Sequence, residues 1–137
     1  MEVLAFLICE DIRPEMGGKF SLMGILSENL NIFRSGDNPW PISINLAAYV
    51  KVKLNDKRPD KFTFRISMGD EIIIDIADNL VAPEGTKTLN IPMSFQAVSI
   101  SKPGSLTFSF AIEANGEKQA EQTRRLEITA NKQQKVN

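Results

Sequence analysis

The sequence predicts an all-β fold, a single antiparallel β-sandwich of about eight strands. Three observations carry this. Apolar residues recur with period two over most of the chain. Turn signals separate the alternating stretches at short intervals. No window has the 3.6-residue periodicity of an amphipathic helix.

The first strand is expected at Val3–Glu10. Its apolar run, Val3 to Cys9, is far shorter than the roughly 20 residues that span a bilayer. Glu2 before it and Glu10-Asp11 after it do not suit a signal peptide, and bulky Ile8 does not suit a lipoprotein cleavage site. Met16-Gly17-Gly18 turns the chain into a second strand, Lys19–Leu26, with which the first pairs as a hairpin. Gly24 interrupts that strand, as at a bulge or a close backbone approach. A loop at Ser35–Pro41 follows.

The clearest strand comes next. Ile42, Ile44, Leu46, Ala48, Val50, Val52 and Leu54 share one face, and Ser43, Asn45, Ala47, Tyr49, Lys51 and Lys53 share the other. Past a turn at Asp56–Asp60, Phe62, Phe64, Ile66 and Met68 repeat the pattern, and the two strands read as a hairpin. Glu71–Asp78 is a weaker strand with Ile73 out of phase. Pro83-Glu84-Gly85 turns the chain again. Leu89, Ile91, Met93 and Phe95 alternate, with Pro92 favouring a sheet edge or a bulge. The phase then slips to Val98 and Ile100, which predicts a bulge at Gln96–Ala97.

Lys102-Pro103-Gly104 reads as a type II turn before Leu106, Phe108, Phe110, Ile112 and Ala114. Asn115-Gly116 signals a hairpin into Arg124–Ala130. A three-residue loop, Asn115 to Glu117, is expected because it sets Leu106 opposite Leu126 and Ile112 opposite Ala120, apolar against apolar. Strands of unequal length with Pro and Lys on the edges favour a sandwich, immunoglobulin-like or C2-like, over a closed barrel.

At 137 residues the chain suits one domain, expected over residues 1–130, with a polar tail at 131–137. It has no histidine. That excludes a Ser-His-Asp triad, a Cys-His pair and histidine metal ligands. A single cysteine, Cys9, excludes an internal disulfide and a four-cysteine zinc site, and fits the cytoplasm. A net charge of −1 gives no general attraction to nucleic acid or acidic membranes.

Leu7-Ile8-Cys9-Glu10-Asp11-Ile12-Arg13, followed by Gly18-Lys19-Phe20-Ser21-Leu22-Met23-Gly24-Ile25, resembles a family of small bacterial proteins described only as a domain of unknown function. The resemblance covers about the first 30 residues; beyond them only the β pattern is shared. It implies a single small β domain and no activity or catalytic residue.

Two groups are candidates for function. Glu10, Asp11 and Arg13 form a polar cluster at a strand end, which reads as a cation site or, more plainly, as a solvated turn with a local ion pair. Trp40, Tyr49, Lys51, Lys53 and Arg65 are candidate partner contacts. Trp40 sits between prolines and suits an interface anchor, or a plug at one end of the sandwich. The basic residues, with Lys57, Arg58 and Lys61, fall on the expected hairpin and would face an anionic partner or simply solvent. Asp70, Glu71, Asp75 and Asp78 lack the spacing of a calcium-binding sandwich. Cys9 ends an apolar run and reads as a buried thiol.

The expectation is therefore a non-catalytic binding or assembly module without cofactor or metal, contacting a protein partner or a second copy. A small-molecule or carbohydrate-binding module is the first alternative. A hydrolase working with carboxylates alone is the second, and it would need two acids converging in a cleft.

Overall fold

The computed structural model describes residues 1–34 and 38–132. They form nine strands and no helix: β1 (Glu2–Glu15), β2 (Lys19–Leu26), β3 (Asn29–Arg34), β4 (Ile42–Lys53), β5 (Lys61–Met68), β6 (Glu71–Asn79), β7 (Thr88–Ile100), β8 (Gly104–Ala114) and β9 (Glu117–Lys132). Two sheets pack face to face. One runs β2-β1-β4-β7 and the other β3-β9-β8-β5-β6. All pairings are antiparallel except β3 with β9.

The expected sandwich is present with one strand more than foreseen. The addition is β3, whose Leu30 and Ile32 point into the core while Asn29 and Asn31 are exposed. Strand β9 begins at Glu117, well before Arg124, and continues to Lys132. Of the expected polar tail, residues 133–137 lie outside the described residues. Of the Ser35–Pro41 loop, residues 35–37 do so too.

The core follows from the period-two pattern. Val50, Val52, Ile66, Ile100, Leu106, Ile112, Leu126 and Ile128 meet between the sheets. A chain of aromatic contacts crosses from sheet to sheet. Phe6 meets Phe64 edge-on at 6.4 Å, and Phe64 stacks on Phe95 at 5.5 Å. Burial of this apolar surface is the main force closing the sandwich.

The departures from period two decide what reaches the core. The predicted bulge is there: Ile44 faces Val98 and Leu46 faces Phe95, which leaves Gln96 and Ala97 opposite Asn45 alone. Ala97 takes φ of 54°, and its N–H donates to Asn45 Oδ1 at 3.0 Å. Pro92 lies on β7, an edge strand, where its missing N–H costs no interior ladder bond. Ile73 is skipped between Ile66–Ile74 and Ser67–Ile72, so both Ile73 and Ile74 pack on the core and Ile72 is left exposed.

Three expectations are corrected. Asn115-Gly116 is a two-residue loop with both residues at positive φ, and Ala114 faces Glu117. The foreseen register still holds, with Leu106 opposite Leu126 and Ile112 opposite Ala120, because Gln119 bulges out just after the turn. Gly104 has φ of 151°, far from the value near +80° at that position of a type II turn, and the segment carries the chain between sheets. Most important for function, β4 and β5 do not pair. They lie in different sheets, joined by a crossover that Arg58 secures by donating to the Pro83 carbonyl at 3.1 Å.

Candidate binding cleft

Strand β1 divides its pairing between two neighbours. Residues Glu2–Cys9 pair with Lys53–Ala47 of β4, and the ladder stops there. From Ile8 to Glu15 the strand pairs with β2. Past Cys9 the β1–β2 ribbon therefore leaves β4.

The ribbon then bends back over the outer face of its own sheet. Phe20 lies opposite Pro14 and Tyr49 opposite Leu7. A straight ribbon would hold them apart by about 23 Å, seven residues at roughly 3.3 Å each. Their ring centroids are instead 6.0 Å apart. The change of direction shows in the side chains. Ile8 and Leu26 pack on the main core, whereas Ile12, Phe20 and Leu22 join Cys9, Ala47 and Tyr49 in a second cluster on the outer face.

Glu10 and Gly24 sit at the bend. Gly24 has φ of 65°, and a Cβ placed on it would lie 2.8 Å from the Glu10 carboxyl group. The close approach expected at Gly24 is thus made by Glu10. Glycine is required twice over, for the left-handed backbone and for the room. Beside it, Asp11 accepts from the Ile12 N–H at 2.9 Å and from Arg13 Nε at 3.5 Å. The Asp11–Arg13 pair is more than half exposed and adds little stability.

The departure of β1 opens a cleft of about 520 Å³ at this end of the sandwich. Its apolar surface comes from Leu26, Leu30, Ile32, Ile44, Leu46 and Phe95. Glu10 and Asp11 supply the acids, and Asn45, Ser94 and Gln96 supply neutral polar groups. The core is reached directly, since Phe95 is both cleft wall and the stacking partner of Phe64.

Of the sequence-predicted residues, Glu10 and Asp11 line this cleft; the others do not. Trp40 is half-buried against the main core, as an end plug would be, with its backbone N–H donating to Asn38 Oδ1 at 3.3 Å. Tyr49 is half-buried in the outer cluster, and its hydroxyl donates to Asn90 Oδ1 at 2.6 Å. The basic group is divided, because β4 and β5 belong to different sheets. Lys51 and Lys53 are exposed on the outer face of one sheet, and Arg65 on that of the other, where it pairs with Asp75 at 3.1 Å. Lys51 and Lys53 share the outer face of β4 with Tyr49, as expected, but Arg65 does not join them. The hairpin reading failed because the alternation that places a residue on an outer face does not say which sheet owns the face.

Cys9 is fully buried, with Sγ donating to the Asp11 carbonyl at 3.5 Å. Burial pushes its thiol above the usual pKa, a backbone hydrogen bond at Asp11 partly offsets this, and the Asp11 and Glu10 charges add to the rise. Asp75 is engaged by Arg65, and Glu71 accepts from Ser101 Oγ at 3.4 Å. Among the described residues no three metal-ligating side chains come together, and no helix is long and apolar enough to cross a membrane.

Sequence reasoning missed Leu30, Ile32 and Asn45 as site residues. The signal for Leu30 and Ile32 was a single short alternation. That for Asn45 was its place opposite the predicted bulge. Neither known protein-family models nor curated proteins match the chain.

Proposed function

We propose that this protein is a non-catalytic binding module whose working surface is the cleft left where β1 parts from β4. One observation carries the reading: about 520 Å³ of space joins a continuous apolar wall to two carboxylates. The wall rewards burial of an apolar group at about 25 cal/mol per Å². The carboxylates favour a ligand with a positive charge nearby. Such a site suits recognition, with a few polar groups orienting an otherwise apolar contact.

A catalytic role has less support. Glu10 and Asp11 are neighbours on one strand, and no other residue lining the cleft is acidic. Carboxylate chemistry needs two acids brought together across a substrate. Cys9 is buried beneath the outer cluster, with its thiol held protonated. The partner is a protein rather than nucleic acid, given acids in the cleft and a net charge of −1. Assembly with a second copy through the outer face of β1 has less support, because the ribbon itself covers part of that face. A cytoplasmic setting agrees with a lone, unpaired thiol. The resemblance of the N-terminal stretch to an uncharacterised bacterial family adds a single small β domain and no activity.

The test uses Nile red, a neutral dye that fluoresces in apolar sites. Wild-type protein is expected to bind it saturably. Leu30→Trp, which fills the cleft from its β3 wall, is expected to weaken binding about tenfold while leaving the urea midpoint near wild type. Unchanged binding by a folded Leu30→Trp protein would remove the cleft as the site.

A further inference from the structure

The wall of the cleft contains an unpaired strand edge. Strand β4 runs from Ile42 to Lys53, and β7 pairs with it along that length. On its other side β1 covers only Ala47–Lys53. Among the described residues nothing pairs with the β1-facing edge of Ile42–Leu46. An open row of backbone N–H and C=O groups is a template for another strand.

The surroundings favour strand addition over simple apolar contact. Ile42, Ile44 and Leu46 point toward the core, and Ser43 and Asn45 point away. A strand laid beside them would continue the same pleat. Its inward side chains would enter the space bounded by Leu26, Leu30 and Ile32. The Glu10 carboxylate stands at the same opening, without a cationic partner among the described residues.

Resting on the cleft as the binding surface, we propose that the Ile42–Leu46 edge accepts an extended segment of a partner protein by antiparallel or parallel strand addition. The segment carries apolar residues at alternate positions and a lysine or arginine that reaches Glu10. A second copy of this chain fits less well. Two copies joined edge to edge about a two-fold axis would bring two Glu10–Asp11 pairs to one interface, where like charges repel.

The test uses a blocked hexapeptide alternating valine with threonine and carrying one lysine. A control has the same sequence with alternate amides N-methylated, which removes ladder donors and keeps the side chains. Amide hydrogen exchange and Nile red displacement are read on the whole protein. The expected result is displacement of the dye and new protection within Ile42–Leu46. N-methylation should weaken binding about tenfold or more, and Glu10→Gln about threefold. Equal binding of both peptides without new protection overturns strand addition and leaves the cleft reading intact. So does failure of the peptide while Nile red still binds. Failure of both probes overturns the two together. Protection of Ile42–Leu46 that rises with protein concentration alone overturns the peptide partner in favour of a second copy.

Discussion

The two inner strands of the four-stranded sheet, β1 and β4, each have a stretch of backbone edge without a strand beside it. Along Glu2–Leu7, β1 has no β2 neighbour, since β2 pairing starts at Ile8. There Arg124 reaches across from the other sheet, and its Nε donates to the Phe6 carbonyl at 3.0 Å. Along Ile42–Leu46, β4 has no β1 neighbour, and no side chain among the described residues closes the gap in that way. One edge is served internally by a charged group. The other opens on a cleft. The difference between the two edges can be tested by substitutions at each.

The largest effect is expected at Phe6, 1% exposed and in aromatic contact with Phe64 and Phe110. Phe6→Ala should cost about 3–5 kcal/mol in urea unfolding. Ile44→Ala, at a half-buried cleft position on the open edge, should cost clearly less. Equal losses would mean that the cleft end is packed as tightly as the centre.

Next comes the bend. Gly24→Ala places a side chain at φ 65° and drives Glu10 from its place, and should cost about 1–3 kcal/mol. Combined with Glu10→Ala, the steric part is relieved and the backbone part remains, so the two substitutions should be non-additive. Strict additivity would show that the Glu10–Gly24 contact carries no energy.

At the served edge, Arg124→Leu removes the donor to the Phe6 carbonyl and should cost about 1 kcal/mol, the net worth of one part-buried hydrogen bond. Amide exchange in Glu2–Leu7 should quicken while Ile42–Leu46 stays as it was.

The smallest effect concerns Cys9. Its pKa is raised in the folded state, so above the unfolded thiol's pKa the unfolded chain loses a proton that the folded chain keeps. Stability should be steady below that pKa and decline as pH rises through and beyond pH 9. Cys9→Ser should remove most of this slope at high pH. Iodoacetamide at pH 8.5 should label the unfolded chain quickly and the native protein slowly; rapid native labelling would show that the outer cluster opens.

Much of the fold was legible because strand faces are written directly in the order of residues. The alternation through Ile42–Leu54 and Phe62–Met68 placed inward residues correctly, and the phase slip after Phe95 located the Ala97 bulge. What stayed hidden depended on relations between strands. The Asp56–Asp60 turn has the same composition whether it closes a hairpin or crosses between sheets. Strand β3 offers only Leu30 and Ile32, and pairs with residues far along the chain. Glu10, Asp11 and Gly24 were each marked by the sequence, yet the cleft they border exists only because β1 lets go of β4 after Cys9.

The parallel pairing of β3 with β9 also sets an order of events during synthesis. Leu30 and Ile128, side by side in the sheet, are roughly a hundred residues apart in the chain, and such long-range pairings form slowly. While the ribosome is still making the middle strands, β3 has no partner to lie against, and its apolar pair is open to misplaced association. The hairpin carrying Glu10 and Gly24 has by then been made. A nascent chain therefore holds the acidic rim of the cleft well before it can build the wall opposite, and the cleft is complete only with the last strand.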